Sequence, residues 1–164
     1  SGAPDQPRAI ENRPVAGWRE RVDLPDWGLR GVRAKLDTGA RTSAIDVATI
    51  EHLDDGRIRF EVVGRHKPDR RTRWGEAVPV RTSIVKPSHG EKQERIVCRT
   101  TMRLAGVETE IELSLVCRKN MLCRMLLGRT ALEGRVLVDS GSKYALTDRS
   151  RKAHRRRMNE RYGE

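Results

Sequence analysis

The feature that most constrains the fold is an alternating stretch that ends in Asp-Thr-Gly. Between Leu29 and Leu36, the even positions from 32 onward carry Val, Ala and Leu, whereas positions 33 and 35 carry Arg and Lys. Such alternation is typical of a strand with one buried face. The strand therefore delivers Asp37 into a glycine turn and presents one carboxylate at the end of a rigid element. An ordinary turn between two strands is the alternative, because Asp and Gly are common turn residues.

Short stretches with strand character, separated by turn residues, occupy most of the chain. Residues 64–75 are mostly charged and are expected to form an exposed loop or insertion, and residues 129–133 one or two helical turns. This pattern favours an all-β, barrel-like domain with one short helix. Strands are predicted at residues 15–22, 29–36, 44–47, 58–62, 77–85, 95–104, 107–116 and 136–138.

Composition suggests a single domain with tails. The chain has 164 residues, of which only 4% are aromatic. Its core must therefore come from Val, Leu, Ile and Ala, and an oligomer interface would help to bury enough surface. We expect a flexible, proline-containing leader at residues 1–14, a domain at 15–147 and a basic tail at 148–164.

The positive charge is distributed over the whole chain. The formal net charge is +11, of which residues 149–164 carry +5 and the remaining residues +6. Excess positive charge in both parts indicates an acidic partner or substrate, such as nucleic acid, a ribosome or a Glu/Asp-rich peptide. A solvated face that keeps the protein in solution is the alternative.

Cysteine usage and hydropathy suggest a cytoplasmic protein that does not enter a membrane. Cys98, Cys117 and Cys123 cannot all pair within the chain, which favours free thiols in a reducing compartment. Small buried hydrophobic side chains are the expected role of these residues, ahead of a zinc site. There is no signal-peptide pattern, and no apolar run approaches the roughly 20 residues that a membrane helix needs.

The Asp-Thr-Gly triplet is matched far downstream by an apolar-apolar-Gly triplet that precedes the predicted helix. Two other segments accompany these motifs, and the four together are Gly17-Trp18-Arg19-Glu20, Lys35-Leu36-Asp37-Thr38-Gly39-Ala40-Arg41-Thr42-Ser43-Ala44, Val80-Arg81-Thr82-Ser83 and Met125-Leu126-Leu127-Gly128-Arg129. They resemble aspartic peptidases of the retropepsin type. They resemble still more a bacterial family of retropepsin-like proteins associated with glutamate ligases, including one that modifies a ribosomal protein.

The resemblance implies a retropepsin-like closed barrel in which Asp37, Thr38 and Gly39 form the catalytic loop. Aspartic peptidases need two carboxylates that share one proton around a water molecule. The ionised member takes a proton from the water and the protonated member polarises the scissile carbonyl. A chain of this length is too short for two such lobes, so the second Asp37 is expected from the symmetric partner of a homodimer.

Members of this family are often labelled ATP-dependent zinc proteases, yet the sequence shows no apparatus for either cofactor. The four histidines are scattered, and no His-Glu-x-x-His motif is present. A glycine-rich phosphate loop ending in Lys-Ser/Thr is absent as well. We therefore expect a peptidase with no cofactor and no metal.

Arginines near the catalytic loop suggest how a substrate is selected. Arg41 follows the triplet closely and is the main candidate for binding a substrate carboxylate through a bidentate fork. Arg81 and Arg129 are weaker candidates. A structural ion pair is the alternative role for Arg41. Glutamate-rich or glutamate-tailed proteins, including ribosomal ones, are the expected substrates, and a ribosome or a glutamate ligase is an expected partner.

A long hairpin with its tip near His89 occupies the place of a flap. If it closes over the site, Ser88, His89 and Gly90 would contact substrate and exclude water. An ordinary surface turn is the alternative.

Three competing interpretations remain open at this point. Asp139-Ser140-Gly141 also follows an apolar strand and could be taken for a second catalytic triplet, but we expect a structural turn there. The domain could keep the fold as a catalytically silent peptide- or ribosome-binding module. It could also be a nucleic-acid-binding β-barrel, although Phe60 is the only Phe and aromatic residues for base stacking are scarce.

Overall fold

The computed structural model describes residues 12–65, 71–85, 90–117 and 123–147, which are almost entirely β-structure. A short 3-10 helix, Pro25–Trp27, separates the first two strands, and the helix α1 spans Arg129–Leu132. The strands are β1 Val15–Leu24, β2 Leu29–Leu36, β3 Ser43–His52, β4 Ile58–Arg65, β5 Arg71–Ala77, β6 Pro79–Val85, β7 Gln93–Leu104, β8 Val107–Val116, β9 Met125–Leu127 and β10 Leu137–Lys143.

Six of these strands close into a ring. Hydrogen-bonded neighbours follow the order β1, β2, β9, β3, β8 and β7, and a pairing between β7 and β1 at Asp23 and Arg103 completes the circuit. Strand β10 extends the sheet beyond β1, β6 extends it beyond β7, and the β4–β5 hairpin is attached to β3. The predictions of an all-β fold and of a short helix directly after Gly128 are confirmed.

The interior of the ring is filled by the apolar face of each strand. In β7, residues 96, 98, 100, 102 and 104 are buried, and so is Val97, whereas Arg99 and Arg103 are exposed. Val, Leu and Ile dominate the core, as the low aromatic content requires, and Phe60 and Trp27 meet edge to face at 4.9 Å between ring centroids.

All three cysteines are free, and two of them have the expected role of a small buried side chain. Cys98 and Cys123 are buried, and burial raises the pKa of the Cys98 thiol to about 11. Cys117 is exposed, so the prediction is wrong for this residue.

The expected loop at residues 64–75 is wrong at both of its ends, where residues 64–65 belong to β4 and residues 71–75 to β5. Strand β5 starts at Arg71 and pairs with β4 along its whole length. Most of its described side chains are only partly buried or exposed, so the segment lacks the apolar alternation that identifies a half-buried strand. Its anchor is Gly75, where an added Cβ would lie 3.0 Å from the rings of both Phe60 and Trp27. The hairpin can thus pack closely against these two rings because Gly75 has no side chain.

The two ends of the chain lie largely outside the described residues. The proposed leader and basic tail therefore stay predictions. Within the described segments, no helix is both long and apolar enough to span a membrane.

Candidate functional site

Asp37 stands at the end of β2, between two neighbouring strands. Strand β2 pairs antiparallel with β1 and parallel with β9, where Leu36 is in register with Leu127. The Asp37 backbone N–H continues this ladder by donating to the Leu127 carbonyl at 2.8 Å. The carboxylate is therefore carried by a backbone that is fixed on both sides.

The Asp-Thr-Gly triplet forms a tight turn that leaves its side chains accessible. The Gly39 N–H donates to Asp37 Oδ1 at 2.9 Å, and the Ala40 N–H donates to the Asp37 carbonyl at 3.2 Å. Asp37 is partly exposed, and Thr38 and Gly39 are exposed. No described residue donates a hydrogen bond to Asp37 Oδ2. One carboxylate oxygen is thus oriented by the turn, and the other is open to a water molecule or a partner.

The apolar-apolar-Gly triplet passes directly behind this turn. The Gly128 N–H donates to Ser43 Oγ at 3.0 Å, and Arg129 and Thr130 donate their N–H groups to the carbonyls of Ala40 and Arg41. An added Cβ at Gly128 would lie 2.4 Å from the Thr42 carbonyl oxygen. Only glycine allows the two backbones to approach this closely.

The Arg129 side chain supports the turn from outside. Its Nη1 donates to the Thr38 carbonyl at 3.1 Å. The sequence suggested Arg129 as a weaker candidate for substrate binding. In the structure its guanidinium binds the loop that carries Asp37.

Arg41 and Arg81 line the same groove. This groove, about 620 Å³ in volume, is bounded by the segment that follows the turn, by α1 and by strands β6, β7 and β8. Arg41 is exposed and has no ion pair among the described residues. Arg81 Nη1 lies 2.5 Å and 2.8 Å from the two carboxylate oxygens of Glu112. The lining residues are Arg41, Thr42, Ser43, Arg81, Val97, Glu110, Ile111, Glu112, Ser114, Thr130 and Ala131.

The predicted hairpin is present, but most of its tip is outside the described residues. Strands β6 and β7 pair antiparallel out to Val85 and Gln93. Ser88 and His89 are not described. Gly90 is exposed and has a φ of 125°, which favours glycine. A role of this tip as a flap stays a prediction.

Asp139-Ser140-Gly141 lies within strand β10, so the prediction of a structural turn at this triplet is wrong. Strand β10 runs to Lys143, parallel to β1, with Asp139 in register with Gly17. The local hydrogen bond resembles that of the first triplet, since the Gly141 N–H donates to Asp139 Oδ1 at 2.9 Å. Here, however, the Ser142 hydroxyl donates to Oδ2, and these two bonds lower the Asp139 pKa. Both carboxylate oxygens are therefore engaged locally.

Glu20 is a structural residue whose role the sequence did not reveal. Its carboxylate is fully buried and accepts hydrogen bonds from the N–H groups of Gly17, Leu146 and Thr147 and from the Thr147 hydroxyl. A buried carboxylate with this many donors is well compensated. It fastens residues 146–147 to β1.

No metal centre is found in the described part of the chain. Its His, Cys, Asp and Glu side chains form no group of three or more that could hold an ion.

An all-β ring with an Asp-Thr-Gly turn at a strand end, backed by an apolar-apolar-Gly strand, defines a retropepsin-like protein. The comparison with known families is more specific. The chain belongs to the RimB-like family, described as retropepsin-like aspartic endopeptidase RimB, whose sequence model matches residues 15–149.

Curated relatives carry a different description. Proteins from Shewanella pealeana and Desulfotalea psychrophila, each named "Probable alpha-L-glutamate ligase", are 30% and 35% identical to this chain over 85% of its length. The chain spans only 31% of the length of these relatives. The match thus covers about a third of each of these relatives.

A solved structure supports the fold. A Legionella pneumophila protein of unknown function, assigned to the domain family DUF785, superposes with a TM-score of 0.64 at 25% sequence identity. The similarity covers 82% of this chain and 98% of that chain.

Proposed function

We propose that this protein is an aspartic peptidase that acts as a homodimer through paired Asp37 residues. The observation that carries the proposal is the Asp37 carboxylate itself. It is fixed by the β2–β9 ladder and by the Gly39 N–H, yet one of its oxygens is free of hydrogen bonds from the described residues. A rigid, accessible carboxylate is what activation of a water molecule requires.

The chemistry requires a second carboxylate beside the first. Two carboxylates at close range share one proton, because the doubly ionised state is costly. The ionised Asp37 removes a proton from the water as it attacks the peptide carbonyl. The protonated Asp37 of the partner subunit donates its proton to the carbonyl oxygen, which gives a tetrahedral gem-diol. As the C–N bond breaks, the first Asp37 passes the proton that it took from the water to the leaving amine, and the partner's Asp37 takes a proton back from a gem-diol hydroxyl. The exposed Thr38-Gly39 turn leaves room for the symmetric copy.

Acidic peptides are the substrate class that the Arg41 guanidinium favours. Arg41 is exposed and presents a guanidinium directly after the turn, in a groove that also contains Arg81. A guanidinium binds a carboxylate through two parallel hydrogen bonds. The relatives named as glutamate ligases point the same way. We therefore infer that the substrate is glutamate-rich or carries a glutamate tail, and ribosomal proteins are included.

Replacing Arg41 by alanine tests this proposal. We expect kcat/KM for a peptide with a glutamate tail to fall by about tenfold or more, because a charge-assisted hydrogen-bonded pair is lost. A matched peptide with a glutamine tail should be affected much less. Both rates are measured by following the products chromatographically.

Two outcomes would count against the proposal. Equal losses of kcat/KM on the two peptides would show that Arg41 does not select for substrate charge. If the wild-type protein cleaves neither peptide, the peptidase assignment itself is contradicted.

A catalytically silent binding module is the second candidate. It is favoured by the ligase names of the relatives and by the short length of the match within them. In that case the groove would hold an acidic peptide or a ribosomal partner without cleaving it. Binding of the glutamate-tailed peptide by the wild type, with the peptide recovered intact, would select this alternative.

A further inference from the structure

The groove beside the turn contains its own carboxylates, and one of them occupies Arg81. Four charged residues line this groove, Arg41, Arg81, Glu110 and Glu112, so their formal charges cancel while it is empty. Glu112 places both carboxylate oxygens within 2.8 Å of Arg81 Nη1. Arg41 has no ion pair among the described residues. Of the two arginines in this groove, which is expected to select acidic peptides, Arg81 is therefore already neutralised by a carboxylate of the protein itself.

Glu112 does not pair with the arginine directly opposite it on the neighbouring strand. The residue opposite Glu112 on β7 is Arg99. Arg99, however, places its Nε 3.2 Å from Glu110. Glu112 instead reaches across β7 to Arg81 on the outer strand β6. Glu112 thus has an arginine directly opposite it in the sheet, yet its carboxylate lies on the arginine that lines the groove.

We infer that Glu112 is a specificity-determining residue, an internal carboxylate that an acidic substrate side chain displaces from Arg81. This inference rests on the proposed function, because it concerns the same groove. An incoming carboxylate takes the position of Glu112 on the guanidinium, and Glu112 turns towards solvent. A neutral side chain makes no comparable hydrogen bonds and leaves the internal pair closed.

The exposure of the pair makes such an exchange feasible. The Arg81 side chain is 53% exposed and that of Glu112 is 32% exposed. Ion pairs that water can reach contribute little to stability, so a competing carboxylate can replace one partner at small cost. Glu112 therefore reduces the affinity for every ligand that uses Arg81, and an acidic ligand recovers part of this loss.

The test measures peptide binding in an Asp37→Asn background, which separates affinity from cleavage. Fluorescence anisotropy reports the Kd of a labelled glutamate-tailed peptide and of its glutamine-tailed counterpart. We expect Glu112→Gln to lower the Kd for the glutamate-tailed peptide by about threefold to fivefold. Glu110→Gln is the matched control, because it removes the same charge from the same groove but releases Arg99. It should produce only the smaller, long-range part of the effect.

A double variant identifies the guanidinium involved. In an Arg81→Ala background, Glu112→Gln should no longer change the Kd beyond the control, because the internal pair is already absent. Equal changes for Glu112→Gln and Glu110→Gln would overturn the inference in favour of simple charge. A weaker affinity in Glu112→Gln would overturn it in favour of a positioning role for Glu112.

The outcome is independent of whether the protein cleaves peptides. If the Kd values follow the expected pattern and the wild type leaves the peptide intact, the exchange stands and the peptidase assignment fails. If the wild type cleaves and Glu112→Gln binds like its parent, the exchange fails alone.

Discussion

Gly128→Ala should strongly destabilise the protein. The new Cβ would lie 2.4 Å from the Thr42 carbonyl oxygen and 2.7 Å from the Thr42 backbone nitrogen, and neither can move independently of the chain. Relief would require β9 and the segment after the Asp37 turn to separate. We expect a loss of about 3 kcal/mol in the free energy of unfolding. The corresponding decrease in melting temperature is about 10 °C, measured by circular dichroism.

Gly141→Ala is the matched control for this substitution. Its nearest neighbour is Asp139 Oδ1 at 3.4 Å, an ordinary van der Waals contact, and Gly141 is exposed on β10. We expect a change within about 0.5 kcal/mol. If Gly128→Ala is as stable as Gly141→Ala, the close passage of β9 behind the turn is wrong.

Asp37→Asn should abolish hydrolysis and should also inactivate any wild-type chain with which it pairs. A neutral amide cannot take the proton from the water, so the rate should fall by about 10³-fold or more. Because the proposed site contains one Asp37 from each subunit, a mixed dimer lacks one of the two carboxylates and is inactive. With a fixed amount of wild type, an equal amount of Asp37→Asn should lower the rate to about half, and a threefold excess to about a quarter.

Asp139→Asn provides the matched control for the loss of a carboxylate. Both aspartates accept a hydrogen bond from the glycine two positions later, but the other oxygen of Asp139 is taken by Ser142. We therefore expect Asp139→Asn to retain activity. A wild-type rate that is unchanged by added Asp37→Asn, after time for subunit exchange, would contradict a shared site. Loss of activity in Asp139→Asn without loss of fold would point to a site within one chain.

Local pattern was sufficient to predict much of the fold. Strands β2, β7 and β8 alternate clearly because one face of each is buried, and their predicted bounds agree closely with the structure. Strand β5 was missed because its described part buries only Gly75, which has no side chain. The closure of the ring through Asp23 and Arg103 depends on two residues about 80 positions apart. No local period in the sequence carries that information.

The candidate site was predictable in its backbone and much less so in its side-chain partners. Asp37 and the triplet ending in Gly128 were identified because together they resemble the motifs of retropepsin-type peptidases, whereas Asp-Thr-Gly alone is also typical of an ordinary turn. No sequence signal predicts that Arg129 binds the Thr38 carbonyl or that Arg81 pairs with Glu112. Exposed Arg and Glu residues alternate along several strands, so many pairs are equally compatible with the sequence. Alternating Glu at 108, 110 and 112 opposite Arg99 and Arg103 does predict a charged face, but not which pairs form.

The most direct measurement of the central claim is the mass of a glutamate-tailed protein after incubation with this chain. Wild type and Asp37→Asn are compared under identical conditions, and intact mass spectrometry reads the products. We predict that the wild type alone yields fragments whose masses sum to the substrate plus one water. A substrate that stays intact with the wild type, or that is cleaved equally by Asp37→Asn, would contradict an aspartic peptidase that acts through Asp37.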